Sequence, residues 1–141
     1  MTRAAGFHLL EHTADVGIEA WATSLERLFE EMAKGLKTIL VDDSPAGKVI
    51  RHSLDLAAED NSQLLVAWLN EIIYLFDTIN VVPVMFEVDR IEESHLLATI
   101  AGETFNPGKH RVQRQTKAAT YHQLQLEERA EGWLARIYID L

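Results

Sequence analysis

The sequence of 141 residues contains no cysteine. That absence excludes disulfide bonds, cysteine-ligated zinc, iron–sulfur clusters and thiol nucleophiles. Positive charge is also scarce, because 13 Lys and Arg residues face 22 Asp and Glu residues, for a net charge of −9. This balance opposes nonspecific binding to nucleic acid or to anionic lipid.

Long apolar runs are missing as well. The start of the chain lacks the apolar stretch of a signal peptide, and apolar runs such as Val81–Phe86 are too short to span a bilayer. With 48% hydrophobic and 25% charged residues, the composition is typical of a globular protein. We therefore expect a single cytoplasmic domain over residues 1–141, without membrane contact.

Two segments have helical periodicity. The first carries an apolar stripe from Leu25 to Leu40, and Thr23 with Glu26 predicts a capping box at its start. The second begins at Asp60 or Asn61. Alternating patterns predict strands at Phe7–His12, Val16–Ala22, Ile50–Leu56, Val82–Val88, Leu96–Ile100, Ala118–Glu127 and Trp133–Asp140.

The predicted order is β-β-α-β-α followed by four strands, with a long loop over Gly102–Gln115 and a closing hairpin that turns near Arg129–Gly132. Because strands follow one another at the end of the chain, this order favours the α+β class. We expect a largely antiparallel or mixed sheet with the two amphipathic helices packed on one face.

Motifs that define enzymes are not found. The sequence has no G-x-G-x-x-G, Walker loop or G-x-S-x-G, and His8, His52, His95 and His122 lack metal-ligand spacing. We therefore expect a protein that is not an enzyme.

Two places gather polar groups near strand ends. The turn His12–Gly17 contains Asp15, and the last predicted strand ends in Asp140 and Leu141. A turn of this kind often does no more than hydrogen-bond its own backbone, and a chain end often frays. However, apolar residues alternate from Trp133 almost to the end, which predicts that the end is tied into the sheet. Adjacent carboxylates on an ordered end could then chelate a hard cation.

The segment Lys109–Lys117 is basic and contains no acidic residue. It could meet RNA or the acidic surface of a partner, or it could be a solvated loop. No aromatic residue within it could stack on bases, which favours a protein partner over direct RNA binding.

Taken in order along the chain, several blocks resemble the archease family. They are His12–Gly17, Ser24–Phe29, Trp68–Glu71, Tyr74–Thr78, Lys117–His122 and Tyr138–Leu141. The resemblance implies a compact α+β fold comparable with the Hsp33-type chaperone domain. It also implies an accessory protein of the RtcB-type RNA ligase, promoting guanylylation and multiple turnover of that ligase in tRNA splicing or RNA repair. RNA would then be an indirect partner.

The resemblance further implies a metal site at Asp15, Asp140 and Leu141, the last contributing a main-chain or carboxylate oxygen. Lys117, with His12, would act in ligase activation. Calcium is the first expectation for the cation, with magnesium or manganese as alternatives. Two aspartates beside an α-carboxylate would repel one another, which a cation or the Lys117 ammonium could offset. A purely structural Asp–Lys network is the simpler alternative.

Two other functions stay open at this point. One is a chaperone or specificity modulator of a tRNA-modifying enzyme such as a methyltransferase, which would depend on the apolar or basic surfaces. The other is a metal-dependent phosphohydrolase using Asp15 and Asp140, which the small number of candidate ligands disfavours.

Overall fold

In the computed structural model, which describes residues 4–11, 14–43 and 45–141, seven strands and two helices follow one another in the predicted order. They are β1 (Gly6–Glu11), β2 (Asp15–Ala22), α1 (Leu25–Leu40), β3 (Ile50–Ala57), α2 (Asn61–Asp77), β4 (Val81–Glu92), β5 (His95–Thr104), β6 (Ala118–Arg129) and β7 (Gly132–Asp140). Neither helix is long and apolar enough to cross a membrane.

The strands divide into two sheets, whereas one sheet was expected. A four-stranded sheet has the order β1-β2-β7-β6 and a three-stranded sheet the order β3-β5-β4. Every pairing within them is antiparallel, so the α+β class with antiparallel strands is confirmed and the mixed-sheet alternative is wrong. The division depends on pairings between strands far apart in sequence, which a local pattern does not specify.

Both helices contact strands of both sheets instead of covering one face of one sheet. α1 packs against β1, β2 and β7 of the first sheet and against β4 of the second. Its stripe is therefore broad, with Leu28, Phe29 and Met32 fully buried. In α2 the indole of Trp68 is also fully buried, and its N–H donates to the Phe29 carbonyl over 2.9 Å. The two helices thus join the sheets through one core.

The helix starts are set by side-chain caps. Asp60 caps α2, accepting from the Gln63 N–H over 2.8 Å, which is one of the two expected caps. In α1 the cap is Ser24, which accepts from the Arg27 N–H over 3.2 Å. The predicted Thr23–Glu26 capping box is therefore wrong by one residue. Glu26 instead accepts from the Ile91 N–H of β4 over 3.2 Å, a tertiary contact that wins over the local one.

The expected loop over Gly102–Gln115 is shorter than predicted, because β5 continues to Thr104. Gly102 pairs with Ile50 on one side and Pro83 on the other. A Cβ at this position would lie 2.0 Å from the Val82 carbonyl oxygen, so only glycine permits the two backbones to approach this closely. Glycine here marks a tight strand contact instead of a strand end.

Candidate metal and partner site

β2 and β7 bring the two candidate aspartates together. Their antiparallel register places Asp15 opposite Asp140. Opposed residues of such a pair project from the same face of the sheet, with Cβ atoms about 4.5–5.5 Å apart. The neighbours Val16 and Ile139 are fully buried in the core, so the alternation of side chains places both aspartates on the face away from the helices.

β6 brings Lys117 to the same end of the sheet. The Lys117 N–H donates to the Asp140 carbonyl over 2.8 Å, and Ala118 lies opposite Asp140 in the ladder. Leu141 follows directly and is packed against the core. Asp15, Lys117, Asp140 and Leu141 are therefore neighbours. His12, the fifth predicted site residue, lies outside the described residues.

No cationic side chain of the described residues balances the two carboxylates. Within the described parts of the chain, neither Asp15 nor Asp140 has a Lys, Arg or His nitrogen within 4.0 Å, so the Lys117 ammonium forms no ion pair with them. The alternative of an Asp–Lys network that caps the sheet would need such an ion pair, and the described residues do not form it. Like charges directly opposite each other in a sheet are destabilising.

Glu19, a carboxylate on the same face, is already paired. The Glu19 carboxylate accepts two hydrogen bonds from the Arg136 guanidinium, over 2.7 and 3.1 Å, and lies 3.2 Å from His8 Nε2. The hydrogen bond with Glu19 raises the pKa of Arg136. Glu19 thus has basic partners on neighbouring strands of the sheet. In this respect it differs from Asp15 and Asp140, which form no ion pair with a described residue.

Asp15 and Asp140 provide some, but not all, of the oxygen ligands that a hard cation needs. Carboxylate oxygens are the ligands that calcium and magnesium prefer, and an uncompensated pair on one face provides two of them. The described residues contain no group of three or more His, Asp or Glu side chains arranged to hold a metal. A cation would therefore need oxygens beyond the two side chains, and the main-chain or carboxylate oxygens of Leu141 are the nearest in sequence. Metal binding at Asp15, Asp140 and Leu141 stays a prediction.

Tyr138 also belongs to this end of the sheet, although it is not among the predicted site residues. Tyr138 lies opposite Gly17, one step along its face from Asp140. A Cβ on Gly17 would lie 2.8 Å from the Tyr138 ring, so this glycine makes room for it. The centroid of the His122 ring lies 6.4 Å from that of Tyr138. The alternation that placed Ile137 and Ile139 in the core could have placed Tyr138 beside Asp140 on the other face.

The basic segment Lys109–Lys117 is more tightly held than a solvated loop. Val112 forms a bridge with Val41, and the Gln113 N–H donates to the Leu40 carbonyl over 3.0 Å. Two of its charges already have acidic partners. Lys109 contacts Glu103 at 2.8 Å, and Arg114 contacts Glu11 at 3.2 Å. The segment therefore offers less free positive charge than its sequence indicates.

The structure is that of an α+β domain with two antiparallel sheets on a shared helix pair. The model of the Archease protein family matches residues 7–141, and the chain belongs to that family. It is similar to the protein archease of Methanosarcina acetivorans, with 33% identity over 139 residues, 96% of this chain and 95% of the relative. Its similarity to the protein archease of Pyrococcus furiosus is 34% over 136 residues, 93% of this chain and 95% of that one.

A solved structure has the same fold. The solution structure of Methanobacterium thermoautotrophicum protein 1598 matches with a TM-score of 0.80 and 29% identity. The match covers 96% of this chain and 99% of that one. The family and fold that the sequence blocks indicated are therefore confirmed.

Proposed function

We propose that this protein is an accessory factor of an RtcB-type RNA ligase in the cytoplasm, promoting guanylylation and turnover of the ligase without catalysing a reaction itself. The observation that supports this most strongly is the opposed Asp15–Asp140 pair next to Lys117. The family resemblance implies a metal site that includes these two aspartates and a functional role for Lys117. RNA would be contacted through the ligase.

The chain's own residues would act by presenting charge at an ordered edge. Asp15 and Asp140 are held by the β2–β7 ladder, and the Lys117 N–H fixes the Asp140 main chain. A bound divalent cation, calcium first, with magnesium or manganese as alternatives, would supply positive charge between the two carboxylates and the oxygens of Leu141. Lys117 is exposed, so its ammonium is available to a partner or to a nucleotide phosphate.

An accessory factor changes its partner only as far as it binds one state of that partner better than another. The site would therefore have to bind more tightly to the ligase state that accepts guanylate than to the state that does not. The carboxylate pair provides such a difference if its charge is complementary to one ligase state alone.

The test is multiple-turnover ligation by the cognate ligase with wild-type protein and with Asp15→Ala, Asp140→Ala and Lys117→Ala. We expect each variant to lose most of the stimulation while it retains the thermal unfolding profile of a folded protein. Asp89→Ala, which removes an exposed carboxylate on β4, serves as the control and should stimulate fully. Undiminished stimulation by all three site variants would refute the site.

The same assay addresses modulation of a tRNA-modifying enzyme. A triple variant that neutralises Lys109, Arg111 and Arg114 should retain ligase stimulation, because two of these charges are already paired with Glu103 and Glu11. Loss of binding to a tRNA methyltransferase in this triple variant, together with full ligase stimulation by the aspartate variants, would favour the alternative function.

A further inference from the structure

β3 is an edge strand of the second sheet, because among the described strands it pairs with β5 alone. Its register with β5 is unbroken over all 8 residues, whereas the opposite edge strand, β4, is irregular at Pro83–Met85 and at Val88–Arg90. β3 also contains no proline. Bulges and prolines are features by which edge strands avoid pairing with another chain. The β3 edge is therefore regular enough to pair with a further strand.

The end of the β3–β5 ladder shows which main-chain groups of β3 point away from the sheet. The Ala58 N–H, directly after the strand, donates to the Ser94 carbonyl over 3.0 Å, toward β5. Main-chain groups alternate in direction along a strand, so Arg51, Ser53 and Asp55 point theirs outward. Among the described residues, no hydrogen bond from outside the sheet reaches these groups. The edge thus offers both donors and acceptors.

The side chains of these same residues carry opposite charges on either side of Ser53. Arg51, Ser53 and Asp55 are all exposed. In the described part of the chain, Arg51 has no carboxylate oxygen within 4.0 Å. Asp55 contacts His95 through one oxygen, and its side chain is 71% exposed. Since Arg51 and Asp55 are equally far from Ser53, the edge is complementary in charge to a reversed copy of itself.

We propose that the β3 edge pairs with the β3 edge of a second copy of this chain, antiparallel about a two-fold axis at Ser53. Arg51 then lies opposite Asp55 of the second copy, and the symmetry repeats this pair on the other side of the axis. Arg51, Ser53 and Asp55 exchange both main-chain hydrogen bonds with the residues opposite them. Opposite charges in such cross-strand pairs are stabilising. A register shifted by two residues would place Arg51 opposite Ser53 or Ala57 and lose both charge pairs.

The pairing also covers apolar surface on the other face of β3. Ile50, Leu54 and Leu56 pack against the core but are only partly buried. In the proposed register Ile50 lies opposite Leu56 of the second copy. This pair is not hydrogen-bonded, and side chains approach each other most closely in such pairs. The Asp15–Asp140 pair lies in the other sheet, so the inference does not depend on the proposed function.

The test is sedimentation velocity of the full chain over a range of protein concentrations, in which we expect the wild type to dimerise reversibly. Arg51→Asp and Asp55→Arg should each raise the dimer dissociation constant by about tenfold or more, because each substitution places like charges opposite one another on both sides of the axis. Mixed in equal amounts, the two variants should form a heterodimer with about the wild-type dissociation constant. In that heterodimer every charged residue of one variant lies opposite a residue of opposite charge in the other.

Arg90→Asp is the matched control, because Arg90 is exposed on the same face of the sheet but belongs to β4. It should dimerise as the wild type does. Ser53→Pro should abolish dimerisation and keep the β3–β5 ladder, since the N–H that proline removes points outward. The charge variants carry the test alone if Ser53→Pro does not fold. The proposal is overturned if the wild type stays monomeric, if Arg51→Asp dimerises like Arg90→Asp, or if the mixed variants do not associate.

Discussion

The Glu30 carboxylate accepts a hydrogen bond from the Val88 main-chain N–H over 2.8 Å, within the buried contact between α1 and β4. Its other oxygen lies 2.8 Å from Arg27. This polar contact links the helix to the second sheet, and its loss would leave a buried donor without a partner.

We expect Glu30→Ala to lower the free energy of unfolding by about 1–3 kcal/mol, because the Val88 N–H would be buried and unsatisfied. Glu30→Gln retains an acceptor oxygen and should cost less. Urea denaturation of both variants measures this. Glu31→Ala, which removes a carboxylate that pairs with an exposed lysine on the same helix, should cost about 0–1 kcal/mol. An equal cost for Glu30→Ala and Glu31→Ala would contradict the role of the buried hydrogen bond.

Glu30 also gives stability a dependence on pH. Burial raises its pKa above 4.5, although the Val88 hydrogen bond and Arg27 act in the opposite direction. The folded state thus binds this proton more tightly than the unfolded state, so the contribution to stability is present below pH 4.5 and is lost as the pH rises through the folded pKa. Glu30→Gln should remove this decline. The free energies of unfolding of the wild type and of Glu30→Gln, measured from below pH 4.5 upward, test this prediction. Identical pH slopes in the two proteins would contradict a raised pKa of Glu30.

The N-cap of α1 can be tested by comparing substitutions at the neighbouring residues Ser24 and Thr23. Ser24→Ala should destabilise the protein by about 1 kcal/mol, because Ser24 accepts from the Arg27 N–H. Thr23→Ala should change the free energy by no more than about 0.5 kcal/mol, since Thr23 is exposed and does not cap the helix. Thermal or urea unfolding distinguishes the two. If Thr23→Ala is the costlier substitution, the capping box predicted from the sequence is the correct one.

That one-residue error shows what local patterns leave open. Thr23–Glu26 matches the capping-box spacing, but the Glu26 carboxylate is used by Ile91, a residue far away in sequence. Alternation identified the strands and the closing hairpin, since each depends on neighbours along the chain. The division into two sheets depends on pairings between distant strands, and the burial of Glu30 depends on the packing of α1 against β4.

The candidate site has the same limit. Alternation along each strand predicts that Asp15 and Asp140 lie on the face away from the core. Only the register of β2 against β7 places them opposite each other. The family resemblance supplied that expectation, and the residue pattern alone did not. The position of Tyr138 beside the two aspartates, in contrast, could have been predicted from the alternation of buried and exposed residues along β7.

Gly102 provides a prediction about packing. Gly102→Ala should destabilise the protein by about 3 kcal/mol or more, because the new methyl group would meet the main chain at Val82 instead of a movable side chain. Gly108→Ala is the control, since its Cβ would lie 3.4 Å from the Asn106 side chain, without main-chain contact. The yield of folded protein and the urea midpoint measure both. Similar midpoints for the two variants would show that the strands can separate at Gly102 without cost.

The aspartate pair predicts a response to metal. Without metal, Asp140→Asn should leave the free energy of unfolding unchanged or raise it by about 0.2–1 kcal/mol, because it removes one of two opposed like charges. Calcium at about 100 times its dissociation constant should stabilise the wild type by about 2.7 kcal/mol and Asp140→Asn by much less. Asp89→Asn serves as the control and should respond as the wild type does. An equal calcium response in all three proteins would place any metal binding elsewhere.

Glu103 predicts a pH dependence opposite in sign to that of Glu30. The hydrogen bond from the Lys109 ammonium lowers the Glu103 pKa below 4.5, and hydrogen bonds from Gly47 and from the buried His110 lower it further. The unfolded state then binds this proton more tightly, so the contribution to stability is present above pH 4.5 and is lost as the pH falls through the folded pKa.

Glu103→Gln should therefore reduce stability most above pH 4.5, and its unfolding free energy should fall less steeply than that of the wild type on acidification. Urea denaturation at several pH values on both sides of 4.5 measures this difference. Glu131→Gln, at an exposed turn position, should give the wild-type slope. Since the Asn106 N–H donates to His110 Nδ1 over 2.9 Å, the neutral ring carries its proton on Nε2 and donates it to Glu103. His110→Phe should therefore make the acid slope shallower as well, and an unchanged slope would mean that His110 does not stabilise the charged form of Glu103.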